Sequence, residues 1–258
     1  MDNIEPYLWV LLILAAAAAG WMDAIGGGGG LIQLPALLLV IPTALTPSAL
    51  GTNKLSSIIG TTAAAATYAR KVPPPMASIK PMMIAAFIGS AAGSLLAASL
   101  NPAVFRPIIF VLLVIVWIIT LINPTSRVTA VLDHETPQHS WFIPIVAGLS
   151  LGFYDGAIGP GTGAFLLIFL VQMLGLSFLR ASSSAKFVNV ATNGASVIIF
   201  AASGHVMWIL GLTMGFANLI GGVIGSRMAI RFGSEFVRKI LLIVVAVLIV
   251  RLGFTIVV

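Results

Sequence analysis

The chain has 258 residues, of which 59% are hydrophobic and 8% are charged, and its mean hydropathy is +1.12. A soluble domain usually carries about 25% charged residues, so this composition excludes a water-soluble globular protein and predicts one that spans a lipid bilayer. The net charge is +6, but the 13 basic residues are scattered among apolar runs and form no continuous basic face, so no nucleic-acid partner is predicted. The absence of cysteine excludes disulfides and thiolate metal sites.

Apolar runs predict ten helical segments, five in each half of the chain. They cover residues 7–25, 29–47, 52–70, 81–100 and 104–123, and then 141–158, 161–176, 183–202, 206–229 and 236–256. We therefore divide the chain into a first transmembrane repeat (1–123), a polar linker loop (124–140) and a second transmembrane repeat (141–258). The acidic N-terminus does not resemble a signal peptide, so we expect the first segment to be retained as a span.

Charged residues recur at a constant offset between the two halves, which indicates an internal duplication. Three matched pairs of charged residues share the same separation, since 155−23, 186−54 and 238−106 all equal 132: Asp23 with Asp155, Lys54 with Lys186, and Arg106 with Arg238. The chain has only 7 acidic and 13 basic residues, so this register is hard to obtain by chance. The sequence therefore predicts two homologous repeats.

The number of segments and the positions of the basic residues predict how the repeats are oriented. Five crossings are an odd number, so the second repeat enters the membrane from the side opposite the first. If the N-terminus lies outside, nine basic residues fall on or near the inner side: Arg70, Lys71, Lys80, Arg127, Arg180, Arg227, Arg231, Arg238 and Lys239. With Lys54 and Lys186 set aside, only Arg106 and Arg251 fall on or near the outer side. The positive-inside rule therefore favours both termini outside and the linker in the cytoplasm. The predicted fold class is an all-α polytopic membrane protein with two inverted five-segment repeats.

Two glycine-rich stretches, residues 26–30 and 156–163, follow Asp23 and Asp155 directly. Glycine and proline at this density break helices, and a helix that restarts after a break presents free N–H groups that suit an anion. The alternative is close helix packing, a role that fits Gly89, Gly93 and their counterparts Gly221 and Gly225 better. The candidate site residues in the two stretches are Gly27, Gly28, Gly29, Gly30, Gly159, Gly161, Thr162 and Gly163. The sequence leaves open whether the first two segments of each half are full spans or re-entrant hairpins.

Lys54 and Lys186 lie near the starts of predicted segments that are rich in hydroxyl and amide side chains. A charge within a span costs about 2.5–3.5 kcal/mol, so each lysine is a functional candidate. Three roles remain open: contact with an anion, a structural ion pair with Asp23 or Asp155, and extension to the membrane interface. The side chains predicted to orient a bound anion are Asn53, Ser57, Asn189 and Asn193. The two aspartates are candidates for proton or sodium coupling or for simple charge balance, and no metal or cofactor is predicted.

The same positions resemble the sulfite exporter TauE/SafE family of membrane transporters. The resemblance covers nearly the whole chain and includes the glycine-rich break with Leu34-Pro35, residues 49–54, residues 159–163, residues 186–189 with Asn193, and then Gly204 and Trp208. It implies movement of sulfite, sulfonates or related sulfur-containing anions across the bacterial cytoplasmic membrane. One departure is internal, because Thr52-Asn53-Lys54 is matched by Ser184-Ala185-Lys186.

These observations together predict a secondary transporter, with export as the direction of transport, in which the two breaks enclose a central anion pocket. An anion channel and a transporter of an unrelated small anion are the alternatives. An enzyme is not predicted, because we find no nucleophile–base pair and no cluster of metal ligands. The expected partners are a small anionic substrate and the lipid bilayer. The exact substrate, the coupling ion and the oligomeric state are not determined by the sequence.

Overall fold

The computed structural model describes residues 5–41, 46–99 and 142–257, and in these ranges the chain forms eight α-helices and no strand. The helices are α1 (Pro6–Gly26), α2 (Gly30–Val40), α3 (Thr46–Ala69), α4 (Met76–Ser99), α5 (Phe142–Ala157), α6 (Thr162–Leu174), α7 (Phe178–Ala202) and α8 (Trp208–Val257). Helix α8 contains a break at Gly233, where φ is 74° and ψ is −168°. The predicted segment 104–123 and the predicted linker 124–140 lie outside the described residues.

Four helices are long and apolar enough to cross a bilayer: α1, α4, α7 and the part of α8 covering Trp208–Ile240. Helices α2 and α6 are shorter, with 11 and 13 residues. At 1.5 Å per residue they are about 16 and 20 Å long, whereas the hydrocarbon core of a bilayer is about 30 Å thick. Helices α2 and α6 are shorter than the predicted segments 29–47 and 161–176 in which they lie. Helix α6 ends because Gly175 adopts a left-handed conformation, with φ of 66°, at its C-terminal cap.

The two lysine-bearing helices begin earlier than predicted. Helix α3 starts at Thr46 with a proline in its first turn, and α7 starts at Phe178 after the cap residue Ser177, whose hydroxyl accepts a hydrogen bond from the Arg180 N–H. The first turns contain threonine, serine and arginine, so a search for apolar runs excludes them. Lys54 and Lys186 consequently lie eight residues inside their helices, since 54−46 and 186−178 both equal 8.

Helices α1 and α8 pack along each other, and so do α4 and α5. Glycines make the close approach possible: a Cβ atom at Gly225 would lie 2.4 Å from the carbonyl oxygen of Trp21, and one at Gly93 would lie 2.2 Å from that of Phe153. These contacts support the packing role predicted for this group of glycines. They also correspond to each other at the predicted offset, because 225−93 and 153−21 both equal 132.

The helix boundaries follow the same offset. Helices α2, α3 and α4 start at residues 30, 46 and 76, and α6, α7 and α8 start at residues 162, 178 and 208, so each difference is 132. Helix α3 packs mainly against α7 and α8, and α7 packs mainly against α3 and α4. The glycine-rich breaks between α1 and α2 and between α5 and α6 therefore lie beside the two lysine-bearing helices. The inverted orientation of the two halves stays a prediction.

Candidate functional site

A buried polar cavity lies where the two glycine-rich breaks meet α3 and α7. Its volume is about 30 Å³, which is room for about two water molecules. Both halves of the chain contribute to its lining: Asp23, Gly28, Gly29, Gly30, Asn53, Lys54, Ser57, Thr61, Asp155, Gly159, Gly161, Thr162, Gly163, Asn189, Asn193 and Asn218. Nearly every side chain in this set has a polar atom, so the cavity is suited to a small hydrophilic solute rather than to a lipid tail.

The two breaks contact each other through their backbones. Gly27 has a φ of 70°, and a Cβ atom there would lie 2.2 Å from the carbonyl carbon of Gly163. Gly159 and Gly161 also have positive φ, at 90° and 88°. A side chain at Gly27 would therefore be both strained and in collision with the facing break. Here glycine is required because two backbones meet at van der Waals distance.

Hydroxyl groups satisfy the carbonyl groups that the breaks leave unpaired. The Ser182 hydroxyl lies 3.1 Å from the carbonyl oxygen of Ala24 and 2.8 Å from that of Ile25, and the Tyr68 hydroxyl donates to Ala24 at 2.8 Å. In the second break, the Tyr154 hydroxyl donates to the carbonyl oxygen of Pro160 at 2.7 Å. Helix ends need such partners when they are buried. The sequence analysis missed these supporting hydroxyls.

Unlike these carbonyl groups, several backbone N–H groups of the breaks have no hydrogen-bond partner among the described residues. Among the described residues, no hydrogen-bond acceptor is found for the backbone N–H groups of Gly28, Gly29, Gly161 and Gly163, and all four glycines line the cavity. Gly29 and Gly161 are the cap residues of α2 and α6, and neither helix has a side-chain hydrogen bond at its cap. Unpaired N–H groups at a helix start carry partial positive charge. The cavity wall is therefore electrostatically suited to an anion.

The two lysines form buried ion pairs that cross between the halves. Lys54 Nζ lies 2.6 Å from Asp155 Oδ2, and Lys186 Nζ lies 2.8 Å from Asp23 Oδ2. The lysine side chains are only 2% and 1% exposed, so neither extends to the surface. The geometry therefore supports the predicted ion pair and opposes extension to the membrane interface. Each lysine pairs with the aspartate of the other half, which ties the two halves together at the centre.

The two ion pairs differ in their surroundings. Lys54 lines the cavity, and a Cβ atom at Gly159 would lie 3.3 Å from its Nζ. Lys186 does not line the cavity, and its Nζ also donates to the carbonyl oxygen of Asp23 at 2.5 Å. The Asp23 carboxylate is 20% exposed and lies 3.4 Å from the Thr61 hydroxyl. Of the two lysines, only Lys54 lines the cavity, whereas Lys186 binds both the carboxylate and the carbonyl group of Asp23 at the end of α1.

Side-chain amides complete the cavity wall. Asn53, Asn189 and Asn193 are buried and line the cavity. The Oδ1 atoms of Asn53 and Asn189 accept no hydrogen bond from the described residues. The Asn189 amide lies against the second break, since its Nδ2 is 3.1 Å from the position of a Cβ at Gly163. These amides therefore have hydrogen-bonding capacity left for a ligand or for water.

The cavity contains every predicted site residue except Gly27 and Lys186, and it adds Thr61 and Asn218. Thr61 lies 132 residues before Asn193, so the internal repeat could have identified it. Asn218 corresponds at the same offset to Ala86, so the repeat gives no signal for it. The Asn218 amide donates to Gln33 Oε1 at 2.7 Å, which holds it at the cavity wall. The described residues contain no group of three or more histidine, aspartate or glutamate side chains that could hold a metal ion.

A set of apolar helices around a buried polar cavity defines the class as a multi-pass membrane protein. Residues 12–252 match the family described as "Sulfite exporter TauE/SafE", and the chain belongs to this family of membrane transporters. The resemblance predicted from the sequence is thereby confirmed. No solved structure gives a significant match to the chain.

The chain is similar along most of its length to proteins that are named as probable membrane transporters. It is 35% identical to "Probable membrane transporter protein ORF9" of Sinorhizobium sp, over 98% of this chain and 95% of the relative. It is 32% identical to a "Probable membrane transporter protein" of Haemophilus influenzae, over 86% of both chains. It is 30% identical to "Probable membrane transporter protein YfcA" of Escherichia coli, over 96% of this chain and 91% of the relative.

Proposed function

We propose that this chain is a secondary transporter that exports a small sulfur-containing anion, sulfite or an organosulfonate, through the central cavity. The observation that carries the proposal is the cavity wall, in which the Lys54 ammonium group, unpaired N–H groups of both breaks and the amide of Asn189 lie around one small space. Sulfite and sulfonate groups are compact oxyanions whose oxygens accept several hydrogen bonds at once. The family name supports the same substrate class.

The proposed architecture is a pair of inverted repeats in which α1–α2 and α5–α6 form re-entrant hairpins. The lengths of α2 and α6 support this arrangement, because neither helix reaches across the hydrocarbon core. The helix starts at a constant offset of 132 residues support the duplication. In such transporters the substrate site lies at the interface of the repeats, and one repeat rocks against the other to expose the site to each side in turn.

The ion pair at Lys54 gives the proposal a coupling mechanism. With both pairs formed, the two lysines and two aspartates sum to zero net charge, so the pairs themselves do not attract an anion. An anion that binds Lys54 displaces the Asp155 carboxylate, and this carboxylate then needs a new positive partner, because an unpaired charge is costly in a buried site. A proton or a sodium ion can serve. We propose Asp155 as the first coupling residue and Asp23 as the second.

The experiment is a flux assay with the purified chain in proteoliposomes loaded with sulfite or an organosulfonate. We expect efflux that saturates with substrate and that responds to an imposed proton or sodium gradient, and we expect Lys54→Gln to abolish it. Lys80→Gln is the matched control, because Lys80 is an exposed lysine outside the cavity. Flux that rises linearly with concentration and ignores both gradients would favour the channel. Equal flux of unrelated small anions would remove the sulfur-anion assignment.

The proposed location is the bacterial cytoplasmic membrane, with both termini outside. The chain has no cysteine, so single cysteines can be introduced without removing others. A cysteine at Lys80 should react with a membrane-impermeant maleimide only from the cytoplasmic side. A cysteine at Gly28 should react from neither side, or only through the cavity, if α1–α2 is a re-entrant hairpin. Labelling of Lys80→Cys from the outside would reverse the proposed orientation.

A further inference from the structure

A second cavity, away from the polar centre, lies between the C-terminal end of α3 and the middle of α8. Its volume is about 480 Å³, which is much larger than that of the central cavity. Its lining combines four cationic side chains with small and apolar ones: Ala66, Thr67, Arg70, Lys71, Val223, Arg227, Ile230 and Arg231. Among the described residues that line it, none is acidic. We refer to this cavity as the basic groove.

Helical spacing places the cations on two facing surfaces. Arg70 and Lys71 follow Thr67 at i+3 and i+4, at the point where α3 ends. Arg227 and Arg231 are four residues apart on α8 and therefore share one face. In the part of the chain that the structure describes, none of these four cations lies within ion-pair distance of a carboxylate. Among the described residues these four charges are therefore not neutralised by a carboxylate.

The internal repeat provides a comparison for the groove. The positions that correspond to the four cations at the offset of 132 residues carry no charge: Ala202 for Arg70, Ser203 for Lys71, Leu95 for Arg227 and Ser99 for Arg231. The helices pack in corresponding ways at both places, since α3 packs against α8 and α7 packs against α4. The four cations are therefore not needed for the packing of these helices. The positive-inside rule accounts for the side of the membrane on which they lie, but it does not require all four to line one cavity.

We propose that the basic groove binds the phosphate headgroup of an anionic phospholipid. Arginine presents a planar fork of N–H donors that matches a phosphate group, and basic pockets between transmembrane helices are suited to anionic lipid headgroups. Between the cations lie Val223, Ile230 and Ala66, which are only partly buried or exposed and offer apolar contact to the glycerol and the upper acyl chain. A free inorganic anion would gain nothing from that apolar surface. The groove is thus a lipid site that is separate from the transport cavity.

Thermal unfolding of the full-length chain in a neutral detergent tests the proposal, with phosphatidylglycerol as the probe and phosphatidylcholine as the uncharged comparison. A ligand that binds the folded state raises the melting temperature according to its concentration relative to its Kd. We expect phosphatidylglycerol to stabilise the protein and phosphatidylcholine not to do so. In Arg70→Gln/Arg227→Gln the apparent Kd for phosphatidylglycerol should rise about 20- to 30-fold, from the loss of two charges near the headgroup.

Lys80→Gln is the matched control, because Lys80 is exposed near the same end of the helices but does not line the groove. Equal loss of stabilisation in this control would mean that general surface charge attracts the lipid, and would overturn the proposal. Full stabilisation by inorganic phosphate at the same concentration would replace the lipid site with a free-anion site. If the double variant does not fold, Arg70→Lys/Arg227→Lys keeps the charge and should weaken binding by a smaller factor. Native mass spectrometry should then detect less retained phosphatidylglycerol than in the wild type.

Discussion

The two buried lysines occupy matched positions in the sequence repeat, but their surroundings differ. Lys54 faces the cavity and pairs with Asp155, whose side chain is 7% exposed. Lys186 lies outside the cavity lining and binds both the carboxylate and the carbonyl oxygen of Asp23, at the end of α1. In the proposed mechanism Lys54 exchanges its partner for the substrate, whereas Lys186 holds the end of a broken helix. Residues at matched positions of the internal repeat therefore need not have the same role.

The strongest test of this difference replaces each lysine in turn by glutamine. Lys186→Gln leaves the carboxylate and the carbonyl group of Asp23 without their shared donor. A fully buried pair broken in this way costs about 3–5 kcal/mol in the free energy of unfolding, and we expect a smaller loss here because the Asp23 side chain is 20% exposed. Lys54→Gln should also cost stability, because it leaves the buried Asp155 carboxylate unpaired, and it should in addition remove anion binding, because its Nζ is the ammonium group at the cavity wall. The free energy is measured by SDS titration in mixed micelles, and anion binding by isothermal calorimetry.

The prediction is that anion binding is lost in Lys54→Gln and retained in Lys186→Gln. If Lys186→Gln kept normal stability and lost anion binding, while Lys54→Gln did the reverse, the assignment of roles would be inverted. A double variant, Lys186→Gln/Asp23→Asn, serves as the control for the buried charge. It should recover part of the lost stability, because it removes the carboxylate that the single variant leaves unpaired.

A second test compares the repeat-related glycines Gly27 and Gly159. A Cβ at Gly27 would lie 2.2 Å from backbone atoms of the facing break, whereas one at Gly159 would lie 3.3 Å from its nearest neighbours. We expect Gly27→Ala to lower the free energy of unfolding by about 2–4 kcal/mol, from overpacking and a left-handed backbone together. Gly159→Ala should cost about 1–2 kcal/mol, mainly from the backbone, because its neighbours at 3.3 Å need to move only slightly.

Gly204→Ala is the control for the glycine comparison. Gly204 has a φ of 73°, close to that of Gly27, but a Cβ there would meet nothing within 4 Å. Its substitution should therefore report the backbone cost without any collision. Equal losses at Gly27 and Gly204 would contradict the direct contact between the two breaks.

The smallest expected effect is at Thr61, whose hydroxyl lies 3.4 Å from the Asp23 carboxylate. This is a long hydrogen bond, so Thr61→Val should change the free energy of unfolding by only about 0.5–1 kcal/mol. Binding of the substrate anion should weaken by less than about fivefold, since a loss of that size corresponds to a factor of about two to five. A loss of anion affinity in Thr61→Val as large as that in Lys54→Gln would indicate that the anion binds beside Asp23 and not at Lys54.

Composition and the internal repeat predicted the helical membrane protein and most of its candidate site residues, because both are local or periodic features of the sequence. The apolar runs predicted a helical membrane protein. The glycine-rich stretches, the matched charges and the nearby amide and hydroxyl side chains together identified most of the residues that line the cavity. The glycine-rich stretches predicted breaks because glycine and proline disrupt helices wherever they cluster. These signals do not require knowledge of which helices are neighbours.

The features that the sequence did not predict depend on contacts between distant segments. The offset of 132 residues relates Lys54 to Lys186, but it does not say that each lysine pairs with the aspartate of the other half. Asn218 lies in an apolar helix without a counterpart, and its place at the cavity follows from its bond to Gln33. The starts of α3 and α7 were misplaced because their first turns contain polar residues, which a search for apolar runs does not detect.

The central claim is that a sulfur oxyanion binds at Lys54 in the cavity, and the most direct measurement is thermal stabilisation of the purified chain by a panel of anions. The panel contains sulfite, sulfate, thiosulfate, sulfoacetate and simple carboxylates, and each is tested on the wild type, Lys54→Gln and Lys80→Gln. We predict a selective rise in melting temperature with sulfite or a sulfonate that is retained in Lys80→Gln and lost in Lys54→Gln. An equal rise in all three proteins, or none with any sulfur oxyanion, would contradict the claim.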